Sequence, residues 1–160
     1  MAKILGIRVI PMTVCVVLGL GLISCGTLGG IGDSIYFPLP KTKVLKLFDT
    51  LFVQHPEYKI PQAWKKYNDW SERGYDFLES RIVYFKSQPR EMYYITFLDD
   101  GLSAKKNKTG IGIRAICNGD PKWVLDKDMD EDERERIEKR FDNEIVSKLE
   151  KYGNCKSWKE

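Results

Sequence analysis

Three aspartates at alternate positions are the first residues whose spacing suggests chemistry. Asp126, Asp128 and Asp130 match the one-three-five acidic start of an EF-hand calcium loop. The sixth position of such a loop needs glycine for its sharp turn, and the twelfth needs a bidentate glutamate. Here these positions hold Glu131 and Ile137. We therefore expect the acidic start of a helix at this point, and no metal site.

The remaining polar residues do not indicate catalysis. Nucleophilic catalysis needs a base beside a nucleophile, and the single histidine, His55, has no evident partner in the sequence. Acid–base catalysis needs paired carboxylates, which four nearby acids could supply. Among 23 acidic residues such a grouping also arises by chance. We predict that the protein is not an enzyme and holds no cofactor. The four acids are Asp69, Glu72, Asp76 and Glu79.

The N-terminal segment has the three parts of a secretory signal peptide. Lys3 and Arg8 give it a positive start, residues 9–23 are mostly apolar, and the small residue Ser24 precedes Cys25. The uninterrupted apolar part is shorter than the about 20 residues that a transmembrane helix needs. We predict that residues 1–24 are a signal peptide that is removed. The alternatives are an ordinary secretory signal and a membrane-buried helix, each with a chance cysteine.

The end of this segment resembles the lipobox of bacterial lipoproteins, which has an apolar residue, a small or apolar residue, a small residue and cysteine. These positions are held by Leu22, Ile23, Ser24 and Cys25. The resemblance implies cleavage before Cys25, a diacylglyceryl group on its thiol and a fatty acid such as palmitate on its new amine. Two or more acyl chains anchor a protein stably to a membrane. Because Gly26 follows, where aspartate would imply inner-membrane retention, the resemblance implies the outer membrane of the cell envelope, with the domain facing the periplasm.

Two cysteines remain for other roles, because Cys15 lies in the removed segment. In an oxidising compartment an even pair favours a disulfide, here between Cys117 and Cys155. The bridge would close a loop of 38 residues, which the chain-entropy model credits with about 4 kcal/mol of stabilisation. Two buried free thiols are the alternative. A metal site at this pair is not expected, because His55 is the only histidine.

The composition predicts one folded domain without a nucleic-acid partner. The mature chain would have 136 residues, with 24 basic and 23 acidic side chains. This balance lacks the basic patch of nucleic-acid-binding proteins, and 42% hydrophobic residues are enough for a core. Glycines and prolines in residues 25–40 predict a flexible tether. Residues 41–160 then form the domain.

Apolar residues at three- and four-residue spacing predict helices at both ends of this domain. The first covers Lys41–Val53, and Pro61 suits the first turn of a second that ends before Gly74. The last begins at Asp130, which has capping-box spacing to Glu133. Its apolar stripe consists of Ile137, Phe141, Ile145, Leu149 and Tyr152.

Between these helices, β-branched and aromatic residues predict strands. Phe77–Ser87, Met92–Leu98 and Ile111–Cys117 are three strands, and Trp123–Leu125 is a short fourth. Short connections favour an antiparallel meander. The sequence thus predicts an α+β fold with two N-terminal helices, a three- to four-stranded antiparallel meander and a C-terminal amphipathic helix packed on the sheet.

Aromatic residues are dense between positions 64 and 97. If strands alternate and one sheet face is covered, Tyr84, Tyr93 and Tyr94 cannot all be buried. Exposed tyrosine and tryptophan favour protein interfaces, so we predict a partner-binding surface of Trp70, Tyr84, Tyr93 and Tyr94. Core and edge packing is the alternative, and a sugar-binding surface is another.

Two functions fit these features. The first is a lipid-anchored, non-enzymatic protein that binds another protein as an accessory subunit of an envelope complex. The second is a periplasmic immunity, inhibitor or exclusion lipoprotein that neutralises a toxin or phage component. An envelope hydrolase is a third hypothesis, and it would need a pocket with paired carboxylates.

Overall fold

The computed structural model describes residues 30–98 and 107–160. In these residues the chain forms five strands and three α-helices, which confirms the α+β class and differs from the predicted counts. The predicted signal peptide and lipidation site, Cys25, lie outside the described residues. In chain order the elements are β1 Ile31–Phe37, α1 Lys41–Gln54, β2 Ser80–Phe85, β3 Glu91–Leu98, β4 Thr109–Cys117, α2 Glu131–Phe141, α3 Ser147–Gly153 and β5 Trp158–Lys159.

The sheet is antiparallel throughout, with strand order β2-β3-β4-β1-β5. The meander predicted for the middle of the chain is its β2-β3-β4 half. Strand β3, the middle strand of this meander, pairs with both β2 and β4. On the β4 side the pairing runs from Met92 opposite Cys117 to Leu98 opposite Gly110. The predicted fourth strand is wrong, because residues 123–125 form only one bridge, between Val124 and Ile116.

The tether prediction is wrong over Ile31–Phe37, which forms β1 between β4 and β5. Glycine there permits a bulge: Gly32 has a φ of 68°, and the pairing register with β4 shifts between Ile31 and Ile35. Ile31, Ile35 and Phe37 are buried. Their apolar burial offsets the entropic cost of ordering a glycine-containing segment.

The second predicted helix is also wrong. Residues 61–74 contain only a 3-10 helix, Gln62–Tyr67, followed by turns. Aromatic residues are moderate helix formers, and here their side chains pack on the sheet. The Trp123 indole Nε1–H donates to the Tyr67 carbonyl oxygen at 2.9 Å, which holds this irregular segment in place.

The C-terminal helix is confirmed, and it packs on the sheet. Helices α2 and α3 are continuous through a π-helical turn, Asp142–Val146. The Asp130 carboxylate caps α2 by accepting the Glu133 backbone N–H at 2.9 Å. Asn154 ends α3 in the left-handed conformation, with a φ of 45°.

Both faces of the sheet are covered. The three helices pack on one face over a core that includes Phe48, Tyr93 and Ile137. An irregular layer, defined here as residues 60–75 and 123–125 and called the aromatic layer, covers the other face. No helix in residues 30–98 and 107–160 is long and apolar enough to cross a membrane.

Candidate binding groove at the β2 edge

The four aromatic residues predicted to bind a partner are buried, and the predicted exposed surface is therefore wrong. Trp70, Tyr84, Tyr93 and Tyr94 are each at most 8% exposed. Tyr93 faces the helices. Trp70 belongs to the aromatic layer, and Tyr84 and Tyr94 pack under that layer from the sheet. Alternation along β3 does send Tyr93 and Tyr94 to opposite faces, but irregular chain covers the face that we expected to be open.

The predicted disulfide is absent, since Cys117 and Cys155 are free thiols. Cys117 lies under the aromatic layer, whereas Cys155 packs on the helical side of the sheet. A disulfide needs Cα atoms within about 7 Å, and the sheet separates these two residues. Burial raises the pKa of both thiols above the ordinary value, which keeps them protonated and weakly nucleophilic.

The aspartates of the rejected calcium loop have structural partners. Asp126 accepts the Arg134 Nε–H at 2.7 Å, and Asp130 caps α2. Asp128 accepts the Leu125 backbone N–H at 3.4 Å. Across the described parts of the chain, no three histidine, cysteine or acidic side chains are grouped to hold a metal ion.

The other chemical candidates do not come together as a reaction centre. His55 Nδ1 lies 2.9 Å from Glu57 Oε1 on the surface. Of the four acids between 69 and 79, Asp69 pairs with Arg73 at 2.7 Å and Glu79 pairs with Arg81 at 2.9 Å. Each of these carboxylates is thus matched to a guanidinium group and not to a second carboxylate.

The structure instead has a groove beside the free edge of β2, which we call the edge groove. The Phe97 N–H donates to the Glu79 carbonyl oxygen at 3.0 Å. Hydrogen-bonded pairs alternate along an antiparallel ladder, so Ser80 and Ile82 direct their backbone N–H and C=O groups to the free edge. The Ser80 carbonyl oxygen accepts from Arg81 Nη1 at 2.8 Å, in agreement with this orientation.

One end of this edge is closed by the chain itself. Tyr58 packs with the helical core and contacts the Phe85 ring, with centroids 5.7 Å apart, while Ile60 packs in the aromatic layer. The intervening chain therefore passes around the β2 edge near Phe85. The edge groove lies at the other end, beside Ser80–Ile82, and has a cavity volume of about 330 Å³.

The groove is lined by both apolar and polar residues. Phe52, Ile60 and Leu78 contribute aliphatic and aromatic surface, and Asn68, Ser71 and Asp76 contribute polar groups. Two residues of the predicted aromatic surface, Trp70 and Tyr94, line it as well. Their rings stack with centroids 4.1 Å apart, which gives the groove a rigid wall.

One large apolar side chain is exposed beside this groove. Phe77 is 78% exposed, and its ring lies 6.2 Å from that of Tyr75, which lines the groove. Among the described residues the other exposed large apolar side chains are Val53, on α1, and Trp158, at the opposite edge of the sheet. An exposed phenylalanine next to a concave site is a candidate contact for a partner.

Two buried polar atoms near the groove have no hydrogen-bond partner in the described part of the chain. They are Nε1 of Trp70, which lines the groove, and Oδ1 of the neighbouring Asp69, which does not. Such a group costs about 1–3 kcal/mol. The aromatic density of this segment was the signal that could have located the groove, although it suggested an open sheet face and not the sheet edge.

A buried ionic cluster on the helical side of the sheet was not predicted from the sequence. The Glu91 carboxylate is 2% exposed and accepts hydrogen bonds from Arg136 and, at 3.1 Å, from Arg140. The Tyr93 hydroxyl donates to it at 3.2 Å, and burial raises the pKa of Tyr93 well above its ordinary value. Arg140 also donates to the Pro89 carbonyl oxygen at 2.6 Å. This cluster ties α2 to the β2–β3 connection.

No protein-family model, curated protein or solved structure matches this chain. Its function is therefore inferred from the edge groove and from the sequence of its N-terminal segment.

Proposed function

We propose that this chain is a lipid-anchored protein of the bacterial cell envelope whose domain binds another protein as an accessory subunit of an envelope complex. The lipobox-like sequence supports an anchor at Cys25, and Gly26 supports the outer membrane with the domain facing the periplasm. The edge groove, with Phe77 exposed beside it, supports protein binding and carries the proposal.

The energetic argument starts from Phe77. A phenylalanine side chain gains about 1.5–3 kcal/mol when it is fully removed from water, and Phe77 is 78% exposed in the free chain. Its ring lies near that of Tyr75, with centroids 6.2 Å apart, yet remains open to solvent. Contact with a partner would recover most of that free energy.

The surroundings of the groove are rigid enough to present this surface. Trp70 packs against Tyr75, Tyr94 and Trp123, with ring centroids 4.1–5.2 Å apart. Arg81 bridges Glu79 and the Ser80 carbonyl oxygen on the strand side. A preorganised surface loses less conformational entropy on binding than a loose one.

The proposal is tested by affinity purification of the tagged full chain from detergent-solubilised envelopes. We expect a stoichiometric partner with wild type and with Trp158→Thr, which removes the exposed apolar side chain at the opposite sheet edge. We expect its loss with Phe77→Ser, and a reduced yield with Cys25→Ala because the anchor no longer concentrates the chain at the membrane. A partner retained in full by Phe77→Ser would contradict binding at the edge groove.

The same experiment addresses the immunity or exclusion role. A protein that neutralises a toxin or phage component has no resident target until attack. Absence of any partner with wild type would therefore contradict the accessory-subunit proposal and favour that alternative.

A further inference from the structure

We infer that the edge groove takes a lysine or arginine side chain presented by an extended segment of the partner protein. This inference rests on the proposed protein-binding function and specifies the chemistry of the partner. Three features of the groove carry it: an uncommitted carboxylate, an aromatic wall and open main-chain groups.

The charge balance around the groove favours a cation. Residues 68–82 contain four carboxylates and two guanidinium groups. Arg73 is held by Asp69, and Arg81 by Glu79. The other two carboxylates, Glu72 and Asp76, make no ion pair within residues 30–98 and 107–160. Asp76 and Arg81 are the two charged residues that line the groove. Because Arg81 is already paired with Glu79, the Asp76 carboxylate is the lining charge that remains for a cationic group.

The walls suit the rest of such a side chain. Lysine and arginine have apolar stems and a charged end. The groove is lined by apolar Phe52 and Leu78 and by the carboxylate of Asp76. Tyr75 and Trp70 also line it, and aromatic rings attract cations through their quadrupole. The volume of about 330 Å³ accommodates one long side chain.

Main-chain groups beside the groove suit an extended partner segment. The N–H and C=O of Ile82 point to the free edge, while the Ser80 carbonyl is already occupied by Arg81. A partner strand could therefore form one pair of hydrogen bonds with Ile82, in the manner of strand addition to a sheet edge. The Trp70 ring lines the groove, so its indole N–H resonance reports on a segment that is bound there.

The test is a titration of the isotopically labelled full chain in detergent, followed by NMR. The probes are four acetylated, amidated pentapeptides, threonine-valine-X-valine-threonine, where X is arginine, lysine, norleucine or glutamate. The readouts are the Ile82 amide and the Trp70 indole N–H resonances. We expect the arginine and lysine peptides to shift both resonances and to bind about fivefold more tightly than the norleucine peptide, since exposed ion pairs contribute about that factor.

Two variants separate charge from shape. Asp76→Asn should reduce the affinity for the arginine peptide to that for norleucine, and Asp76→Lys should make the glutamate peptide the tighter ligand. Glu135→Gln removes an exposed carboxylate on α2 and should leave the preference unchanged. Equal binding of all four peptides, no shift with any of them, or a preference that survives in Asp76→Asn would overturn the inference.

A sugar ligand is the competing outcome. If muramyl dipeptide shifts the Trp70 and Ile82 resonances and the arginine peptide does not, the groove binds cell-wall fragments and the inference is overturned. The proposed protein-binding function and the inferred cationic side chain can fail independently of each other. If Phe77→Ser loses the partner while the peptides show no charge preference, protein binding stands and the cationic side chain does not.

Discussion

At the scale of single residues, Glu91 is the carboxylate on which the link between α2 and the sheet depends. Its two oxygens accept from Arg136, Arg140 and Tyr93, and almost none of the side chain meets solvent. Removing this carboxylate takes one negative charge from a buried ionic cluster, in which Arg136 also pairs with Glu133 and Arg140 with Glu144. The free energy of unfolding is therefore sensitive to this one side chain.

Glu91→Gln should lower the free energy of unfolding by about 1.5–3 kcal/mol, because Arg136 and Arg140 lose the charged hydrogen bonds to the carboxylate that they share. Neither guanidinium is left unpaired, since Arg136 keeps Glu133 at 2.8 Å and Arg140 keeps Glu144 at 3.2 Å. Urea denaturation followed by tryptophan fluorescence measures the change. Glu135→Gln, on the exposed side of α2, is the matched control and should change it by less than about 0.5 kcal/mol. A similar small change for Glu91→Gln would show that the cluster does not stabilise the fold.

The sequence carries only part of this residue-level information. Arg136 and Arg140 have the four-residue spacing that places two side chains on one helix face, but their common partner lies 45 and 49 residues away. For Arg136 and Arg140 a real contact was not predicted, whereas for Cys117 and Cys155 a bond was predicted that the structure lacks. Their number and compartment favoured a bridge, and only the three-dimensional fold places the sheet between them.

At the scale of elements, β1 is the strand that the sequence pattern did not predict. Alternating β-branched and aromatic residues predicted β2, β3 and β4. The glycines and prolines around β1 instead suggested a tether, because flexibility is a local property whereas pairing with β4 involves residues about 75 positions away. The aromatic layer was missed for a related reason, since irregular chain has no periodicity to detect.

Ile35→Ala provides a test of β1. In a tether the change would leave stability unaffected, whereas in a strand between β4 and β5 it removes a buried side chain that is 3% exposed. We expect the free energy of unfolding to fall by about 2–5 kcal/mol, as measured by urea denaturation. Asp33→Ala, at an exposed position of the same strand, should have little effect. Equal effects of the two substitutions would argue against the strand.

At the scale of the whole molecule, the short chain between the proposed lipid on Cys25 and β1 limits how far the domain can lie from the membrane. The described domain begins near Gly30 and enters the sheet at Ile31, so at most residues 25–30 separate the proposed lipid from the domain. An extended chain spans about 3.3–3.6 Å per residue, which limits this link to about 20 Å. The edge groove lies at β2, three strand spacings from β1, or about 15 Å across the sheet. A partner bound there would therefore lie within a few tens of ångströms of the proposed lipid.

Metabolic labelling with an alkynyl fatty acid in a Gram-negative host tests this arrangement. The wild-type chain should incorporate the label and sediment with the outer membrane if, as proposed from the lipobox-like sequence, Cys25 carries the acyl chains. Cys25→Ala should abolish labelling, whereas Cys117→Ala should not, since that thiol is buried and weakly nucleophilic. Gly26→Asp should retain the label and move the protein to the inner membrane. Labelling that persists in Cys25→Ala would place the lipid elsewhere, and an unlabelled wild-type chain would leave the edge groove as a soluble binding site with no fixed distance from the bilayer.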